Sequence, residues 1–244
     1  MIQIYAHRGS SGTHPENTLP AFAEAVRVGA DAVELDVHLS KDQELIVMHD
    51  EEVDRTTNGK GLIREKTLAE IKQLNAGSWF DKNSSARVPT LKETFDLFLQ
   101  KNYRGMVMIE LKTDKFQYPQ IEEKVAELAA SRDWPFQHSY CSFNQASLEK
   151  MAELEPGIQL DLLMRDSKKK PAIAQELSYI EGLHPHYQWV LDNPDAAKDF
   201  SKALRVWTVD DEALLKEVLG WAINGVITDY PEKALRIRQS IKSR

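Results

Sequence analysis

Short runs of β-branched and apolar residues take turns with helix-period stretches along the whole chain, and this alternation restricts the fold more than any other feature. It starts with IQIYA (2–6) before TLPAFAEAVRVGA, then AVELDVHLS (32–40), MVMIELK (106–112) before QIEEKVAELAASR, and HSYCSF (138–143) before QASLEKMAEL. It continues with IQLDLLM (158–164), YIEGLHP (179–185), RVWTV (205–209) before DEALLKEVLGWAI, and GVITD (225–229) before PEKALRIRQSI. Strand and helix in alternation predict a parallel sheet of βα units, and eight strands predict a closed α/β barrel of the (β/α)8, or TIM, type. With 244 residues, 42% of them hydrophobic, the chain has the length for one such barrel, and 1–244 reads as a single domain.

A ninth run, LIVMHD (45–50), follows AVELDVHLS after only KDQE, too few residues for a parallel crossover, so it is expected to return as a hairpin arm. With 41–44 as the turn, Val37 faces Met48 and Asp36 faces His49. The stretch 51–88 lies outside the alternation and reads as a small insertion over one end of the barrel. Inside it, Thr67 and Glu70 have the spacing of a capping box before a helical TLAEIKQL. The basic run at 168–170 before Pro171 reads as a solvated loop.

The formal net charge of -7 disfavours a nucleic acid or an anionic membrane as the main partner, because such binding needs a contiguous basic face. Cys141 is the only cysteine; it lies in a strand-like run and reads as a small buried residue in a reducing compartment. The opening residues carry no positive segment followed by an apolar stretch, and no run approaches the roughly 18 apolar residues of a membrane span. The expectation is a soluble, cytoplasmic protein without stable membrane association. Oligomeric state is left open.

In a parallel barrel, functional groups collect where strands end and βα loops begin. The first strand ends in His7 and Arg8, where neither fills a core; the second carries Glu34 and Asp36; the hairpin returns His49 and Asp50; the next strand ends with Glu110 and Lys112. Residues two apart on a strand share a face, so Glu34 points with Asp36 and Glu110 with Lys112. Three carboxylates at one barrel mouth repel one another and lose solvation, so either their pKa values rise or a cation sits between them. Oxygen-only donors suit one hard divalent cation, Mg²⁺ or Ca²⁺, rather than zinc. Singly, each carboxylate is an ordinary strand-end residue paired with a base; the set is what points to a metal. Arg8 and Lys112 have the chemistry to clamp a phosphate, and His7 and His49 that of a general acid and base. His138, His184 and His186, taken singly, read as packed or surface residues.

AHRG with PENTLPAF, VELDVHLSKD, VMHDEEVDRTTNG, the IELK strand, VWTVD and ITDYP together resemble the glycerophosphodiester phosphodiesterase family, in that family's order, from residue 4 to about residue 231. The resemblance implies a TIM barrel with a small insertion after the strand of the second histidine. It implies hydrolysis of small-molecule glycerophosphodiesters, such as glycerophosphocholine or glycerophosphoethanolamine, to sn-glycerol 3-phosphate and an alcohol. By position, His7 and His49 correspond to the catalytic pair, Glu34, Asp36 and Glu110 to the metal ligands, and Arg8 and Lys112 to phosphate contacts. Trp207 resembles an aromatic wall beside the glycerol, with barrel packing as its competing role, and Phe143 resembles it more weakly. Asn17, Thr18 and Asp229 are as well explained by turns and helix starts, with Thr18 placed as a cap. Asp210 departs from the asparagine common in the family and would add negative charge near the mouth.

Two other functions share these features. A phospholipase-type activity on lysophospholipids would use the same barrel and histidines but calls for a membrane-facing surface that this acidic chain does not advertise. A non-catalytic phosphate-ester sensor would need no acid–base pair.

Overall fold

The computed structural model describes residues 1–242. Eight parallel strands, β1 (Gln3–Ala6), β2 (Ala32–Leu39), β4 (Met106–Leu111), β5 (Gln137–Ser142), β6 (Leu160–Met164), β7 (Gly182–Pro185), β8 (Ala203–Val206) and β9 (Gly225–Thr228), follow one another around a barrel. It closes where β1 pairs with both β9 and β2. β3 (Leu45–Val47) adds antiparallel to the outer half of β2, as the hairpin expectation has it.

Side-chain alternation explains why the strands are buried on both faces. On β2, Val33, Leu35, Val37 and Leu39 join the core under the helices, while Ala32 packs in a separate cluster with Tyr5, Met108, Cys141, Leu163 and Ile227. Around the barrel, α1 (Leu19–Arg27) and α3 (Leu91–Gln100) contribute Phe22, Phe95 and Phe98 to the main core, all fully buried. Burying one such side chain stabilises the fold by roughly 1.5–3 kcal/mol.

The hairpin is one residue out of the expected register. Val37 faces Val47, not Met48, and the Met48 N–H donates to the Asp36 carbonyl, where His49 was expected. The cause is a tighter turn: the Ser40 N–H donates to the Glu44 carbonyl, and Gln43 adopts φ 65°, so three residues rather than four make the loop. β7 and β8 also differ from the runs 179–185 and 205–209. The chain before β7 is still in a turn, the Ile180 N–H donating to the Leu177 carbonyl, and β8 ends at Val206, with Trp207 making an isolated parallel bridge to His186.

The insertion packs Val53, Ile63, Ile71, Ala76 and Val88 with Ile46 and Met48 of the hairpin arm into a small separate core. Its short helix α2 (Leu68–Ile71) starts at Thr67 with both halves of the capping box made by Thr67 and Glu70, as the spacing predicts. α3 repeats the device with Thr90 and Glu93. Thr18 precedes α1 without capping it; its hydroxyl donates to the Pro15 carbonyl at 2.6 Å. Pro20 in the first turn removes one of the N–H groups that a cap would serve.

No described helix is long and apolar enough to cross a membrane. The remaining helices are α4 (Ile121–Ala130), α5 (Gln145–Leu154), α6 (Lys170–Glu176), α7 (Tyr187–Asp192), α8 (Pro194–Lys198), α9 (Glu212–Val218) and α10 (Pro231–Lys242).

Candidate active site

The C-terminal ends of the strands enclose a pocket of about 110 Å³ whose lining includes His7, Arg8, Glu34, His49, Glu110, Phe143 and Trp207. Asp36 and Lys112 are buried immediately behind that wall. The structure thus gathers all nine residues singled out from the sequence at one end of the barrel.

Arg8 owes its position to backbone geometry. It adopts φ 54° and Gly9 φ 81°, two successive left-handed residues that turn the chain sharply after β1. The turn aims the Arg8 N–H at Glu34 Oε2 (2.8 Å) and its guanidinium at Glu16 (2.9 Å) and Asp36 (3.4 Å). A Cβ on Gly9 would lie 2.6 Å from the Ala21 carbonyl carbon of α1, so a close helix approach demands this glycine.

Glu34, Asp36 and Glu110 are all buried, and one oxygen of each lies within 4.8 Å of the others. Burial pushes the Glu34 carboxyl well up, and the neighbouring Asp36 and Glu110 push it further. Burial also raises Glu110, against the opposing pull of Lys112. Asp36 is different: burial would raise it, but His49, Lys112 and Arg8 outweigh burial and hold it well below the usual carboxylate range. Its Oδ2 accepts a hydrogen bond from Asn17 Nδ2 at 2.8 Å, whereas its buried Oδ1 accepts none and has only Lys112 Nζ at 3.6 Å. An under-satisfied oxygen within a buried all-oxygen set fits a hard divalent cation. Lys112 also donates to Glu110 at 2.8 Å, and these two carboxylates keep its ammonium charged despite burial.

Each histidine is held by a carboxylate to which the sequence reading assigned no such role. The Nδ1–H of His7 donates to Asp229 Oδ1, and that of His49 to Asp50 Oδ1, both at 2.6 Å. Neither Nε2 has a protein partner among the described residues. Burial opposes ionisation of Asp50, yet His49 and Arg55 bring it below the usual range; His7 does the same for Asp229. Arg55 then bridges Asp50 (2.7 Å) to Glu16 (2.7 Å), joining the His49 side to Arg8. Asp50 was visible as the neighbour of His49 in LIVMHD, and Asp229 only through barrel closure, which puts the end of β9 beside the end of β1. Asp210 stands behind Asp229, accepting from its N–H (2.8 Å) and from Thr228 Oγ1 (3.0 Å), and does not line the pocket.

Phe143 and Trp207 meet edge to face at 6.0 Å on the opposite side. The Trp207 indole N–H donates to the His184 carbonyl at 2.8 Å, fixing the ring. Cys141 is buried at the pocket floor, where burial and then the nearby carboxylates push its thiol up, consistent with an inert residue. The 168–170 run is not wholly a solvated loop. Lys168 and Lys169 are exposed, but the Lys170 ammonium donates to the Phe143 (2.8 Å) and Leu163 (2.7 Å) carbonyls.

Comparison with known proteins agrees with this geometry. Residues 7–233 match the Glycerophosphoryl diester phosphodiesterase family. A glycerophosphodiester phosphodiesterase of Bacillus altitudinis is 35% identical over 99% of this chain and 100% of its own length. One from Caldanaerobacter subterraneus subsp. tengcongensis is 37% identical over 96% of each chain. The solved structure of an Oleispira antarctica phosphodiesterase in complex with the product sn-glycerol-3-phosphate superposes with a TM-score of 0.83 at 31% identity, covering 97% of this chain and 96% of that one. With a buried carboxylate trio, two carboxylate-held histidines and these relatives over nearly its full length, the chain belongs to the glycerophosphoryl diester phosphodiesterase family.

Proposed function

We propose that the pocket hydrolyses small-molecule glycerophosphodiesters to sn-glycerol 3-phosphate and an alcohol, with His7 and His49 as the acid–base pair and one divalent cation, Mg²⁺ or Ca²⁺, on Glu34, Asp36 and Glu110. The observation that carries this reading is the matched pair of imidazoles on one pocket, each held at Nδ1 by an ionised carboxylate. That arrangement fixes the ring and its tautomer, while Nε2 stays open for proton transfer.

One of the two histidines takes the proton of the attacking oxygen, either the glycerol 2-hydroxyl or a water. As the new phosphorus–oxygen bond forms, the bond to the departing alcohol breaks, and the other histidine delivers a proton to the alkoxide. Attack by water gives sn-glycerol 3-phosphate directly, whereas attack by the 2-hydroxyl gives a cyclic phosphate that a water then opens, with the two histidines in exchanged roles. Arg8 and Lys112 oppose the negative charge that builds on the non-bridging oxygens. When bound, the cation supplies Lewis-acid stabilisation to the same oxygens. The product bound by the Oleispira antarctica relative, sn-glycerol-3-phosphate, supports this substrate class.

The test is steady-state hydrolysis of glycerophosphodiesters by the wild type, H7A and H49A, each chelated and then given Mg²⁺ or Ca²⁺. Either substitution should lower kcat by roughly 10²- to 10⁴-fold with a much smaller change in KM, and chelation should abolish activity reversibly. Near-normal turnover by both variants, or full activity in metal-free protein, would overturn the corresponding part.

A further inference from the structure

Arg165 follows β6 directly, lines the catalytic pocket, and packs its guanidinium 5.5 Å from the centre of the Trp207 ring. Beside it, on the ring that meets Trp207 edge to face, Lys170 Nζ lies 5.1 Å from the centre of Phe143, held by the Phe143 and Leu163 carbonyls. Both aromatic rings are therefore faced by a cation of the chain itself. Aromatic faces are where a quaternary ammonium would otherwise be recognised.

Arg165 differs from the other pocket cations in its partners. Arg8 and Lys112 are each ion-paired to carboxylates, whereas Arg165 has no carboxylate within ion-pair distance among the described residues. It is also the one described residue that lines both the pocket and an adjoining groove of about 470 Å³, where Asp166, Lys168, His186 and Asp192 sit. In that groove Asp166 and Asp192 offset Lys168 and Arg165 in formal charge, yet neither aspartate forms an ion pair with Arg165 among the described residues. Burial and then Arg165 hold His186 below its ordinary value, so it adds no charge near neutrality. The charge at the junction itself is that of Arg165, and a diester extending out of the small pocket into the groove passes it.

We propose that Arg165 is a specificity-determining residue that selects against diesters whose alcohol is cationic and favours those with an uncharged polyol or an anionic alcohol. This rests on the phosphodiesterase reading of the pocket. Choline would bring a fixed positive charge to two rings already faced by cations and to an exposed guanidinium without an ion-pair partner, and like charges brought into contact repel even where solvent weakens the effect.

The experiment compares kcat/KM for glycerophosphoglycerol and glycerophosphocholine in metal-supplied wild type, R165K, R165Q and R165E. The wild type and R165K should prefer glycerophosphoglycerol by about tenfold, equivalent to about 1.4 kcal/mol. R165Q should bring the ratio towards one, and R165E should invert it. A ratio unchanged in R165Q and R165E, including one where both substrates lose activity equally through disturbed Trp207 packing, overturns the proposal. A second readout needs no variant: raising ionic strength should narrow the wild-type ratio, and a salt-independent ratio counts against it. Failure to hydrolyse any glycerophosphodiester would instead bring down the phosphodiesterase reading itself, a result distinct from an unchanged ratio.

Discussion

Asp50 and Asp229 never reach the pocket wall, yet each fixes which nitrogen of its histidine faces it. An asparagine has nearly the same shape but lacks the charge that supports an imidazolium, and its amide can present N–H to Nδ1 and force the wrong tautomer. D50N and D229N are therefore expected to lower kcat by at least roughly 10²-fold while KM moves far less, as read by steady-state kinetics. Equal losses in kcat and in substrate affinity would argue for a disturbed pocket instead. Glu34, Asp36, Glu110 and both histidines were legible in the sequence because strand ends in a parallel barrel are poor places for unexplained charge. Asp229 was not, since an aspartate before a proline-led helix looks like a turn until β9 is set beside β1.

At the level of elements, the backbone after β1 is the tightest constraint. In G9A the new methyl meets the Ala21 carbonyl carbon, and the residue must still hold φ 81°, so a loss of roughly 2–4 kcal/mol is expected. Gly29 offers the control: it has φ 78° but nothing within 4 Å of where an added methyl would sit, so G29A should lose only about 1 kcal/mol. Denaturant midpoints of the two variants measure the difference, and equal losses would mean that helix approach contributes nothing. The strands themselves were easy to see, because their apolar, β-branched runs are buried on both faces. Hairpin register was harder: Gln43 in a left-handed conformation shortened the turn by a residue, and nothing in KDQE announces that.

On the scale of the whole molecule, the barrel interior holds a second charged cluster towards the N-terminal ends of its strands. Asp161 on β6 accepts from Arg205 on β8 at 2.9 Å and lies 3.3 Å from His184 on β7, all buried. Within IQLDLLM this aspartate gave no sign of being interior, since its partners come from strands read separately. Burial would raise its pKa, but His184 and Arg205 outweigh burial and hold it well below the usual range. A depressed folded-state value stabilises the fold above the unfolded carboxylate pKa of about 3.9, and that contribution is lost as pH falls below it. D161N, which strands a buried guanidinium, should lose on the order of 3–5 kcal/mol at pH 7, and its deficit relative to the wild type should shrink below pH 4. Urea titrations at pH 7, 5 and 3 follow that gap; a constant deficit would show that the charge is immaterial.

Barrel closure has a consequence for synthesis. His7 and the carboxylate that orients it are 222 residues apart, and they meet only when β9 takes its place against β1. A growing chain on the ribosome can acquire the carboxylate trio and the second histidine early, but it cannot complete its acid–base pair until nearly the last strand has emerged. Onset of catalysis would then report a finished barrel, and no nascent fragment lacking β9 would act on a phosphodiester.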